Sequence, residues 1–165
     1  MRILGIDPGY AIVGWAILEI EGQTQIDLIE YGAITTKQGV PMSERLNEVF
    51  QDLGEIITEY KPDYAGVEKV MLHKNVKTAT KVGEATGVIL LALERALVPI
   101  YEVTPLQVKN AVAGYGKANK DEVQRAVKLL CGLEEVPKPD DAADAIAVAI
   151  CAHGHIVSGV KAQLY

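Results

Sequence analysis

Cysteine is scarce in this chain: Cys131 and Cys151 stand far apart, with no Cys-x-x-Cys pair and no Cys/His metal spacing. This excludes a disulfide framework and a zinc site, and leaves two buried thiols as the expectation. Long apolar runs are missing as well, and nothing approaches the ~18 residues of a membrane span. The opening Met1-Arg2-Ile3-Leu4-Gly5 lacks the layout of an export signal, so a soluble protein that stays in the cytoplasm is expected. Basic residues are in deficit, with a net charge of −6, which argues at first against a polyanionic partner.

The distribution of charge changes that reading. Residues 1–68 carry 4 basic and 12 acidic side chains, residues 69–132 carry 10 and 5, and residues 133–165 carry 2 and 5. The middle of the chain is therefore basic between acidic flanks. Lys69, Lys74, Lys77 and Lys81 occur with no acid among them, and Lys109, Lys117, Lys120, Arg125 and Lys128 follow. A solvated helix face is the plain reading; a phosphate-binding surface is the functional one.

With 165 residues, 49% of them hydrophobic, the chain fits a single domain over 1–165 that buries roughly 70% of its unfolded surface. Arg2 to Asp7, Ala11 to Ile20 and Gln25 to Thr36 read as three antiparallel strands. Met42, Leu46, Val49, Phe50, Leu53, Ile56 and Ile57 make one stripe of a helix over 41–60. Tyr64 to Val70 is a fourth strand, 76–97 the longest helix, and Pro99 to Val103 a fifth strand. Thr104 caps a helix beginning at Pro105, Asn119 with Glu122 opens another, and a last helix starts near Asp140 and runs through Ile150. Residues 152–165 carry little signal and are expected as a partly flexible tail. Strands that first pair antiparallel and then alternate with helices indicate an α/β domain whose mixed five-stranded sheet carries helices on both faces.

Four carboxylates stand out from the ordinary surface acids. Asp7 ends the apolar run Ile3-Leu4-Gly5-Ile6 just before Pro8-Gly9, and Glu68 ends Tyr64-Ala65-Gly66-Val67. Neither suits a core, so each should lie at an open strand end beside a cation. Asp141 and Asp144 are three apart on one face of the last helix, where Ala142, Ala143, Ala145 and Ala147 keep the helix slim. Ordinary first-turn acids are the bland alternative for that pair. Together the four supply hard oxygen ligands with little His or Cys nearby, a set that selects Mg²⁺ or Mn²⁺. Gly83 and Gly87, four apart, let a second helix approach closely, either within the chain or from a second copy.

These segments, in this order, resemble the RuvC family of bacterial Holliday-junction resolvases over nearly the whole chain. The resemblance is carried by Arg2 to Gly9, Val67-Glu68, Lys74-Asn75, Gly83 to Gly87, Thr104 to Lys109 and Pro139 to Ala145. It implies a ribonuclease-H-like fold and a homodimeric endonuclease that resolves four-way DNA junctions in recombination and repair. Asp7, Glu68, Asp141 and Asp144 would be its catalytic and metal-binding acids, holding two Mg²⁺ ions. Lys109 and Lys120 would lie near the cut phosphate, with Lys117, Lys74, Lys77 and Lys81 as further DNA contacts, and Gly83 and Gly87 in the dimer helix. RuvA and RuvB branch-migration proteins are the implied partners. After Glu68 many relatives carry a base-stacking aromatic, where this chain has Val70-Met71-Leu72-His73. Met71 is then an apolar wedge without a π-face, and Tyr115 the alternative aromatic contact. An actin-like or sugar-kinase-like ATPase, or an inactive junction-binding protein, are the competing readings.

Overall fold

The computed structural model describes residues 1–22, 25–71 and 76–162. Lys74 and Asn75 fall outside them, and of Lys77 only its place in a helix is described. Five strands form one sheet: β1 (Arg2–Asp7), β2 (Ile12–Glu21), β3 (Gln25–Thr35), β4 (Tyr64–Glu68) and β5 (Ile100–Val103). Five helices complete the described fold: α1 (Met42–Tyr60), α2 (Val76–Arg95), α3 (Pro105–Ala113), α4 (Lys120–Leu130) and α5 (Asp140–Val157). The strand order is β3-β2-β1-β4-β5, antiparallel from β3 to β1 and parallel from β1 to β5. Crossover helices return β4 and β5 in parallel, as a sheet of this connectivity requires.

Alternation along the strands sends side chains to opposite faces, and each face builds its own core. Leu4, Ile6, Ile17, Ala65 and Val67 meet Val49, Leu53 and Ile57 of α1 and Ile89 and Leu93 of α2. Ile3, Ala16 and Leu18 on the other face meet α3, α4 and the Ala-rich α5. Both capping boxes form, Thr104 with Gln107 and Asn119 with Glu122. Among the described residues no helix is long and apolar enough to cross a membrane.

Glycine decides how closely α5 approaches. A Cβ on Gly14 of β2 would collide with the Asp141 carbonyl, one on Gly5 of β1 would lie 2.8 Å from the Ala149 Cβ, and one on Gly66 of β4 2.7 Å from the Ala152 Cβ. Gly5 and Gly66 are paired neighbours, and Gly14 pairs with Asp7. The helix therefore crosses from β2 over β1 to β4, backbone nearly on backbone, and only small residues on both sides permit it. One expectation is corrected here. α5 continues to Val157, with Ala152 and His153 buried, because Ala152 as well as Val148 packs on Gly66 of β4. Among the described residues a Cβ on Gly83 or Gly87 would meet nothing within 4 Å, so of the two readings of these glycines the packing within the chain is the one that finds no contact.

Candidate active site

Asp7 and Glu68 terminate neighbouring parallel strands, with Ile6 opposite Val67 one step earlier, so both carboxylates leave the sheet at the same edge. Asp141 arrives from above because its own backbone rests on Gly14, the residue paired with Asp7. Asp144 follows one helical turn later. The turn after Asp7 is tied down by a buried network: the Thr36 hydroxyl donates to the Tyr10 carbonyl at 2.9 Å, and the Arg45 Nε donates to the Thr36 Oγ1 at 2.8 Å. Arg45 and Lys81 both lie near the Tyr10 ring, 5.0 and 5.2 Å from its centroid. Sequence reading missed Tyr10 and Arg45; an arginine four residues before Val49, in line with the apolar stripe, was the available signal.

Electrostatics mark the acids as a coupled group. Burial, followed by the charges of Glu68, Asp144 and Asp141, pushes the Asp7 carboxyl up to about 8, with Lys120 pulling the other way. Burial and Asp144 push Glu68 up to about 7, opposed by Lys109. Asp144 is also raised, chiefly by burial, although Lys120 counters it. Burial works against the Lys120 ammonium, but its bonds to Asp144 at 3.1 Å and Asp140 at 3.5 Å prevail and hold its pKa above the usual lysine value. Asp140 is itself held by Lys138 at 2.7 Å and pulled below the ordinary carboxylate range. Asp140 thus shares Lys120 with Asp144, a role that spacing alone did not suggest.

The donor set fits a divalent metal. Carboxylates that raise one another's proton affinity in a buried corner are the surroundings that a hard cation reverses, and oxygen ligands suit Mg²⁺ and Mn²⁺. Among the described residues, no three Asp, Glu, His or Cys side chains are already closed into a ligand shell.

Lys109 and Lys120 reach the acids, lining with Glu68 and Asp144 a charged depression of about 200 Å³. Lys117 is exposed on the loop before α4, and Lys81 stands beside Tyr10 rather than against the acids. Met71 is 50% exposed next to Glu68. Tyr115 is 47% exposed, with its hydroxyl engaged by the Glu122 side chain.

The model of the family described as crossover junction endodeoxyribonuclease RuvC matches residues 3–153. A protein of that name from Halothermothrix orenii is 54% identical over 155 residues, covering 94% of this chain and 93% of its own. One from Petrotoga mobilis is 52% identical over 161 residues, covering 98% of both chains. Among solved structures, that of T. thermophilus RuvC in complex with a Holliday junction substrate superposes with a TM-score of 0.94 at 33% identity, covering 99% of each chain. Its ribonuclease-H-like fold is the fold seen here, and neither an ATPase nor an inactive binder finds support. With the family model spanning nearly the whole chain and relatives half identical to it, this protein belongs to the RuvC crossover junction endodeoxyribonucleases, a family of divalent-metal-dependent nucleases.

Proposed function

We propose that this chain resolves four-way DNA junctions as a homodimer, with Asp7, Glu68, Asp141 and Asp144 as the acids that hold two Mg²⁺ ions. The observation that carries the site is the convergence of partly buried carboxylates where α5 rests on β1 and β2, with Asp7, Glu68 and Asp144 raised in proton affinity. Held by these carboxylates, such ions would supply Lewis-acid chemistry, making a water easier to ionise and offsetting charge that develops on the phosphodiester. The acids must give up their protons to bind metal, so Asp7 and Glu68 make loading pH-dependent. Lys109 and Lys120, on the rim of the charged depression, hold the phosphate in line, leaving 5′-phosphate and 3′-hydroxyl ends. Lys117, Lys81, Lys77 and Lys74 extend the contact along the backbone, and Met71 or Tyr115 meets bases at the opened branch point.

The exposed α2 face bearing Gly83, Gly87 and the half-exposed Leu91 supports dimerisation, because a partner helix can approach there without a clash. A dimer presents two such sites, which two opposed cuts require. RuvA and RuvB would act on the same DNA in the bacterial cytoplasm; no surface of this chain is assigned to them. The test is a labelled mobile junction and a matched duplex, each in Mg²⁺ and in EDTA. Paired symmetric cuts in the junction alone, dependent on metal, are expected; equal cutting of both substrates would reduce the protein to a general nuclease.

A further inference from the structure

Arg45 occupies an unfavourable place for a cation. It is the fourth residue of α1, where the positive end of a helix disfavours positive charge, and it is only 8% exposed, in line with Val49, Leu53 and Ile57. Among the described residues no carboxylate forms an ion pair with it, and its Nη2 is buried without an acceptor. What it contacts instead is the Thr36 Oγ1, 2.8 Å from Nε, and the Tyr10 ring, whose centroid is 5.0 Å from Cζ. Lys81 of α2 stands 5.2 Å from the same ring. The Thr36 hydroxyl has a single hydrogen, and the nearer acceptor is the Tyr10 carbonyl at 2.9 Å. The Ala11 carbonyl, 3.4 Å away, already accepts from the Thr36 backbone N–H at 3.0 Å. A buried charge kept for one hydrogen bond and one ring points to the turn that those contacts fasten.

That turn follows Asp7 directly. Pro8 fixes its own φ, and Gly9 lies so close to the Ile12 carbonyl that a Cβ would collide with it. Tyr10 comes next, so little slack separates its carbonyl from Asp7. Among the described residues no hydrogen bond tethers the Asp7 carboxylate, while the charges of Glu68, Asp144 and Asp141 act on it. Its place therefore depends on its backbone. We propose that Arg45 is a positioning residue of the cleavage site: through the Thr36 hydroxyl it fixes the Tyr10 carbonyl, and thereby where the Asp7 carboxylate stands. The inference rests on the reading of Asp7 as a metal-holding acid. Arg45 reaches the turn from α1, which packs on the face of the sheet opposite α5, so the two faces locate different acids. α5 seats Asp141 and Asp144; α1 holds the turn behind Asp7. Partners that orient metal ligands without touching the metal typically contribute 10- to 100-fold in affinity or rate, and the brace should fall at about the lower end of that range because it acts through the backbone.

The test compares Arg45→Met, which keeps the apolar stem, Thr36→Val, which removes the hydroxyl at nearly constant shape, and Thr36→Ser, which restores it. Each protein is titrated with Mn²⁺, the free ion being read by electron paramagnetic resonance. Junction affinity is measured in EDTA, and kcat at saturating junction in Mg²⁺. Arg45→Met and Thr36→Val should each weaken Mn²⁺ binding and lower kcat by about tenfold, while junction affinity in EDTA stays within about twofold of the wild type. Thr36→Ser should recover both quantities. Because a buried substitution can loosen the fold, all proteins are compared well below their melting temperatures, where a merely structural role would leave Mn²⁺ affinity unmoved. Wild-type Mn²⁺ affinity and kcat in folded Arg45→Met, a Thr36→Ser as impaired as Thr36→Val, or a defect confined to junction affinity would each overturn the proposal. Asp7→Asn binding Mn²⁺ as tightly as the wild type would instead sink the reading of Asp7 as a metal-holding acid.

Discussion

Removing the charge of Asp7 should make the metal-free protein more stable at high pH and less sensitive to pH. Asp7 ionises near 3.8 in an unfolded chain and at about 8 in the folded one, so between those values the native state keeps a proton that the unfolded state has released. Stability from this source is fully present below pH 4 and is lost as pH rises through about 8. Four units correspond to about 5 kcal/mol as a ceiling. Glu68, Asp141 and Asp144 face the same corner and share the strain, while Lys120 and Lys109 relieve part of it. About 2 kcal/mol is therefore the expected loss between pH 5 and pH 8.5, or roughly 4–8 °C in Tm for a domain of this length. Asp7→Asn cannot ionise, so its melting profile in EDTA should be flatter by that amount and should lie above the wild type by pH 8. Added Mg²⁺ should restore the wild type at pH 8.5 and leave the variant little changed. Differential scanning fluorimetry across pH, with and without EDTA, measures all of this. Parallel profiles for the two proteins in EDTA, or a variant less stable than the wild type at pH 8.5, would refute the reasoning.

Gly14→Ala should cost about 1–3 kcal/mol by lifting the start of α5 off the sheet, and should weaken Mg²⁺ binding measured by calorimetry; an unchanged Tm and affinity would mean the close seat is not needed. Gly83→Ala should raise stability by up to about 1 kcal/mol, since its Cβ meets nothing, while Gly83→Leu should shift sedimentation toward monomer; an intact dimer with the leucine would free this face. Lys109→Met with Lys120→Met should shallow the plot of log junction affinity against log salt by about 1.8, and the same slope would remove both from the phosphate footprint.

Much of this protein was legible in residue order because local rules act within a few positions. The stripe from Met42 to Ile57, the caps at Thr104 and Asn119, and the acids ending the runs Ile3–Ile6 and Tyr64–Val67 follow from periodicity, hydrogen-bond chemistry and the cost of burying charge. The order of motifs then indicated the family. What the sequence could not decide was the distance between residues separated by sixty or more positions. Sheet register brought Asp7 beside Glu68, and the glycine path across β2, β1 and β4 drew Asp141 and Asp144 down to them. The same packing left Gly83 and Gly87 open, carried α5 beyond Ile150, gave Lys120 to Asp140 as well as Asp144, and brought Arg45 to the turn behind Asp7. Composition and spacing decide which side chains are available; only the approach of backbones decides which of them share a dielectric and a charge.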